Sequence, residues 1–395
     1  MLNEPLSNLA VAADSIASPA SCVLHCTAGK LFGGVETMLA TLARCREFAP
    51  GLRQEFAFSF DAKSLELTRE SGAPVHLVGS ARFSRPWTVL AARKRLRRIL
   101  IDRRVDLVVC HAAWTHALYA PVARRAKVPV VFWLHDTLRG NNWVERLAAR
   151  TPPDLAIVNS RFTAETLPRV FPGARAELLY YPVSTSVPVD RLAVRAEVRR
   201  EFDTPEDAVV IIQSSRLERW KGHADLIAAL GLLKDRPDWV AWIVGGAQRE
   251  HEKVYLDELI ATATRLGIAD RVRFVGQRGD VPRLLTAADI HCQPNSGPEP
   301  FGIAFVEALH AGLPVVSTRF GGALEIIDDS CGRLISPGDI SALAETLSTL
   351  IADPDLRFRL GENGPARARE LCDPAKISVR FETLLTRVVE GVRSR

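Results

Sequence analysis

"GPEPFGIAFVEALHAGLPVVSTRFGGALEII", Gly297 to Ile327, sets a loop, a helical pattern and an apolar run one after another. In "FGIAFVEALHAG" the apolar residues recur at helical spacing, Gly312 stops the pattern and Pro314 follows. The segment therefore reads as a helix of about three turns, entered from a loop that ends at Pro300. "LPVVST" behind it is apolar without alternation, as expected of a strand covered on both faces of a parallel sheet. Two carboxylates frame the helix: Glu299 in the loop and Glu307, eight positions later, more than a turn inside it.

The same style runs outward in both directions. Upstream lie "SCVLHCTAG", "QEFAFSF", "PVHLVG", "VDLVVCHA", "VPVVFWLHD" and "DLAIVNS", then "AVVIIQSSR", "WVAWIVGG", "RVRFVG" and "ADIHCQP"; downstream lies "CGRLIS". Helical patterns separate them, so the fold class is α/β with two Rossmann-like, doubly wound domains. With 395 residues the chain is too long for one ordinary core. "LLYYPVSTSVPVDRLA", Leu178 to Ala193, has prolines, small polar residues and no sustained period, which suits a connection with its boundary near Val187. The expected units are a loose tail over 1–20, a first domain over 21–186, a second over 187–370, and a closing helix over 371–395 that crosses back to the first domain.

Composition narrows the class. Hydrophobic residues make up 47% and charged residues 25%, with no run of ~18 apolar positions, so a membrane-spanning reading is excluded and a soluble or peripheral protein is expected. The N-terminus lacks a basic leader, and seven cysteines form no CxxC pair, which fits a reducing cytoplasm and neither a disulfide framework nor a zinc site. The net charge of +5 is concentrated in "ARKRLRRILIDRR". That segment reads as a surface helix packed by Leu96, Ile99 and Leu100, with Arg93 to Arg98 as a candidate membrane-docking face. No aromatic residues interleave the charges, so nucleic acid is not an expected partner.

Ligands of open α/β sheets gather beyond the carboxyl ends of the strands. Gly33-Gly34 opens a helix after the first strand, and suits either a tight turn or a close approach to an anion. Neither GxGxxG nor GxxxxGK[ST] occurs there, which disfavours a standard dinucleotide or P-loop site. Arg216 and Lys221 follow another strand and suit a diphosphate, or else a solvated loop of mixed sign. His135 ends a strand as a core histidine, a base or an oriented donor, while His291 reads as structural. Asp353-Pro354-Asp355, the only Asp-x-Asp, follows a helical pattern and reads as a turn, so no metal is expected.

"PNSGPEPFGIAFVEALHAGLPVVSTRFGGALEIIDDSCGRLISPGD" resembles the donor-binding signature of glycosyltransferase family 4, retaining enzymes of the GT-B fold marked by E-x7-E. "SSRLERWKGHADLIAAL", "RVRFVGQRGDVPRLLTAADI", "GKLFGGVETML" and "FWLHD" are similar to further family segments, so the resemblance is spread over most of residues 22–370. It implies a nucleoside diphosphate sugar as donor, with no cofactor and no metal. Glu307 would bind ribose hydroxyls and Glu299 the transferred sugar. Arg216 and Lys221 would neutralise the diphosphate, with Gly33 and Gly34 closing from the other domain. Phe301, Gly302, Ile303 and Ala304 would line the donor site and offer backbone N–H groups, His135 would line the reaction centre, and Gln277 and Arg278 would lie near the base. The implied product is a cell-surface polysaccharide or glycolipid built on a glycan or lipid-linked acceptor. A nucleotide-sugar epimerase and a non-catalytic binding subunit are the rival readings. Pro300, where many members have Gly, and the "SGP" before Glu299 depart from the family pattern; Pro300 stiffens the loop and bears on donor choice.

Overall fold

The computed structural model describes residues 20–28, 33–185, 188 and 190–394. The first sheet has strands β1 (Ser21–Thr27), β2 (Leu52–Phe58), β3 (Val75–Leu77), β4 (Leu107–His111), β5 (Val130–Leu134), β6 (Leu155–Val158) and β7 (Ala176–Leu178), in the order β3-β2-β1-β4-β5-β6-β7. The second has β8 (Val209–Ser214), β9 (Trp239–Val244), β10 (Val272–Gly276), β11 (Ile290–Gln293), β12 (Val315–Thr318) and β13 (Gly332–Ile335), in the order β10-β9-β8-β11-β12-β13. All pairs within both sheets are parallel. Each crossover brings the chain back to the end of the sheet at which the previous strand began, so all carboxyl ends of a sheet emerge on one side.

Every apolar run singled out in the sequence contains a strand. β7 does not announce itself, because "AEL" is a short, partly exposed edge strand without an apolar run. The connection expected from Leu178 therefore begins on the last residue of β7, and its final residues lie in the helix Arg191–Glu201, capped by Asp190. Val187 and residues 1–19 of the expected tail fall outside the described residues.

The basic helix spans Pro86–Asp102 and buries Val89, Ala92, Leu96 and Leu100. Two of its cations are committed to structure: Arg93 donates to the carbonyls of Leu118 (2.9 Å) and Ala117 (3.2 Å), and Arg95 to that of Val78 (3.1 Å). Asp353 caps the helix Pro354–Cys372, accepting from Leu356 N at 2.8 Å. The last helix, Pro374–Arg393, lies on the first sheet, where Phe381 packs against His25 and Trp133 at ring separations of 5.7 and 5.2 Å. All seven cysteines are free thiols.

Candidate active site

A cleft of about 740 Å³ opens where residues beyond the strand ends of both sheets face each other. The helix entering it spans Ile303–His310, about two turns rather than three. Gly302 takes φ +108°, which breaks the helical path and leaves Phe301 outside. The first N–H groups of this helix, on Ile303 and Ala304, have no earlier turn to bond and stand at the cleft wall. Gly33 and Gly34 stand opposite. A Cβ on Gly34 would lie 3.4 Å from Ile303 Cδ1, and one on Gly33 would lie 3.9 Å from Arg216 Nε.

Glu299 is buried, and its Oε2 collects three donors: Lys221 Nζ, Gln293 Nε2 (3.2 Å) and Asn295 Nδ2 (3.4 Å). No described residue bonds its second oxygen. The loop is held from behind, because Gly322 N donates to Glu299 O at 2.7 Å. Lys221 also sits 4.0 Å from the centre of the Trp220 ring. Arg216 pairs with Glu218 at 2.8 Å, and Glu218 takes the Trp220 indole N–H as well. Both cations read as neutralising a diphosphate therefore already carry a carboxylate partner. What they offer an incoming anion is their remaining N–H donors, on a site of low net charge.

Glu307 points into the same cleft without a hydrogen-bond partner among the described residues. Desolvation raises its pKa to about 7. A half-buried carboxyl group without a partner is a place for a ligand that brings hydrogen-bond donors.

His135 lines the cleft, yet both ring nitrogens are occupied: Nε2 meets His111 Nδ1 at 2.8 Å and Nδ1 meets the Tyr181 hydroxyl at 2.6 Å. Burial pushes its pKa down to about 3. Its ring has no nitrogen left to act as a base on a ligand in this arrangement. Gln277 and Arg278 are the two expected site residues that do not line the cleft. Arg278 is held at 2.8 Å by both Asp280 and Glu201. His291 is fully buried against Phe305 with neither ring nitrogen bonded, in keeping with its structural reading.

Sequence reasoning passed over Gln293, Asn295, Trp220 and Tyr181 as site residues, although all but Asn295 line the cleft and Asn295 bonds Glu299. The available signal was position: Gln293 ends β11, at the carboxyl end of a strand.

Two all-parallel, helix-covered sheets meeting at one cleft, with an anion-ready helix end on one side and a glycine pair on the other, are the architecture of GT-B glycosyltransferases. Residues 32–187 match the family described as Glycosyltransferase Family 4, and residues 194–367 match Glycosyl transferases group 1. A GDP-mannose-dependent alpha-(1-6)-phosphatidylinositol monomannoside mannosyltransferase of Mycolicibacterium smegmatis is 32% identical over 294 residues, 68% of this chain and 73% of that one. The lipopolysaccharide core biosynthesis glycosyltransferase LpsE of Rhizobium meliloti is 35% identical over 167 residues, which span 42% of this chain and only 46% of LpsE. Among solved structures, Anabaena HepE in complex with UDP and glucose superposes with a TM-score of 0.80 at 27% identity, covering 92% of this chain and 99% of HepE. The chain belongs to glycosyltransferase family 4 and is an enzyme of that class.

Proposed function

We propose that the enzyme transfers a hexose-type sugar, with retention of anomeric configuration, from a nucleoside diphosphate sugar to a glycan or lipid-linked acceptor of cell-surface polysaccharide or glycolipid synthesis. The observation that carries this reading is the convergence on one cleft of Glu307, Glu299, the free end of the Ile303 helix and Arg216. In this reading Glu307 accepts from ribose hydroxyls, and the unpaired oxygen of Glu299 accepts from the sugar. As the nucleotide leaves, negative charge grows on the diphosphate, where Arg216, Lys221 and the N–H groups of Ile303 and Ala304 stabilise it more than they stabilise the bound donor. The reading assigns this role to the chain's own groups and not to a metal. Retention follows from attack on the face the diphosphate leaves, with the leaving phosphate taking the acceptor's proton.

A screen of UDP, GDP and ADP sugars, with and without lipid-linked glycan acceptors and in the presence of EDTA, tests it. A new glycosidic bond with the donor's anomeric configuration by proton NMR is expected. Inversion, or release of an epimerised free sugar without an acceptor, overturns it.

The acceptor side favours a lipid surface. On the basic helix Trp87, Leu90 and Ile101 are 67, 65 and 62% exposed, alongside exposed Lys94, Arg97 and Arg98. No helix among the described residues is long and apolar enough to cross a membrane. This face suits peripheral docking, with about 1 kcal/mol per basic residue near anionic lipid. Co-sedimentation is expected with anionic vesicles and much less with neutral ones; equal binding to both overturns the electrostatic part.

A further inference from the structure

The first domain contains a line of buried imidazoles. His25 pairs in register with Val109 of β4, and His111, two residues beyond Val109, pairs with Trp133 of β5; His135 lies two residues beyond that. Each step moves one strand across and two residues up, which keeps all three side chains on one face of the sheet. The rings stack at centroid separations of 5.3 and 5.1 Å. They also form a continuous hydrogen-bonded chain. Gln54 Oε1 meets His25 Nε2 at 3.3 Å, His25 Nδ1 meets His111 Nε2 at 3.0 Å, His111 Nδ1 meets His135 Nε2 at 2.8 Å, and His135 Nδ1 meets the Tyr181 hydroxyl at 2.6 Å.

Burial holds His25 and His135 down at about 3 and His111 well below its usual value, so all three are neutral around pH 7. A neutral imidazole has one donor and one acceptor, so every link of the chain must point the same way. The ends choose the direction. Asn159 Nδ2 donates to the Tyr181 oxygen at 2.9 Å and to His135 O at 3.3 Å. With the chain directed inward, the tyrosine proton goes to His135 Nδ1 and the Gln54 carbonyl accepts the last N–H. Directed outward, the phenol oxygen would receive two donors and its own proton would need an acceptor in the cleft. The inner end is an amide, which neither takes up nor releases a proton near neutral pH. The chain therefore holds a direction and does not conduct.

We propose that Gln54, His25 and His111, none of which lines the cleft, are positioning residues for the transfer: they hold His135 as its Nε2–H tautomer and draw the Tyr181 proton inward, so that the phenol oxygen, which accepts from Asn159, presents no proton to the cleft. The acceptors of this wall are then the unpaired oxygen of Glu299 and Glu307, the complement of a ligand rich in hydroxyl donors. The catalytic part of the proposal rests on the transferase reading; the tautomer part does not.

Long-range proton–nitrogen NMR of the full chain with labelled histidine, from about pH 6 to about pH 8, is expected to show three non-titrating Nε2–H imidazoles, assigned by substitution. His135 found as the Nδ1–H tautomer, or titrating in that range, overturns the proposal without any substrate. His111→Phe keeps a stacked ring but cuts the chain. Its expected effect is a mixture of His135 tautomers and a fall in kcat of about tenfold, with donor KM within about twofold. Lower thermal stability with His135 tautomer and kcat unchanged would show a merely structural role and overturn the proposal. Gln54→Leu, at the far end of the chain, is read by the same measures should the His111 variant fail to fold.

Discussion

Glu307 couples the cleft to pH. Its folded pKa of about 7 lies above the value of an unfolded glutamate, so the stability of the protonated form is fully present below about pH 4.5 and is lost as pH rises through 7. Glu307→Gln should therefore unfold at a higher temperature than the parent near pH 8, by an amount worth about 1 to 3 kcal/mol, and differ little near pH 4.5. Donors on a ligand favour the ionised form, so nucleotide affinity should rise between about pH 6 and 8 with release of a proton. Calorimetry in buffers of different ionisation enthalpy measures that proton directly, and none should be released from Glu307→Gln. Glu299 differs because it also organises its neighbours. Glu299→Ala removes the partner of Lys221, Gln293 and Asn295 at once. It should chiefly lower kcat, by roughly a hundredfold, while Glu307→Ala should chiefly raise donor KM. Steady-state kinetics in which Glu299→Ala keeps full kcat would remove Glu299 from the reaction centre.

The element that presents these groups is the loop and short helix from Glu299 to His310, and a second loop braces it. Gly321 has φ +65°, and a Cβ there would stand 2.3 Å from Glu299 O. Gly321→Ala should cost about 1 to 3 kcal/mol and displace Glu299, so that Tm and kcat fall together more than donor KM rises. An unchanged Tm would show that the loop adapts. At this scale the sequence was most informative where chemistry and periodicity coincide. Continuous apolar runs located the strands, and Glu299 and Glu307 stood in a recognisable frame around one helix. β7 escaped because three partly exposed residues have no period. Gln293 and Asn295, and the alignment of His25 with His111 and His135, depend on which strands become neighbours and in what register. Local patterns do not encode that, so His135 was legible as a residue of the cleft but not as a ring with both nitrogens engaged.

Across the whole molecule, the domains are tied by specific contacts as well as by the chain. Ser160 Oγ donates to Pro300 O at 2.6 Å, joining the first domain to the loop that holds Glu299. Glu325 accepts from Arg161 N at 2.8 Å and from the Tyr180 hydroxyl at 2.9 Å. The last helix extends the tie, with Phe381, Leu384 and Leu385 buried in a core cluster shared with Trp133 and Phe56. Phe381→Ala should cost about 3 to 5 kcal/mol, read as a shifted urea midpoint, because it opens a cavity between that helix and the first sheet.

The position of that helix in the chain has a consequence for synthesis. The first sheet is complete at Leu178, but the helix that covers one of its faces begins at Pro374. At ~5–20 residues per second, the ribosome adds the intervening residues over many seconds, while Phe56, Trp133 and the imidazole-bearing face remain without their final cover. The nascent first domain is thus a natural client for holding chaperones until the helix Pro374–Arg393 has emerged, and a chain cut off before Pro374 should yield aggregate rather than a smaller enzyme.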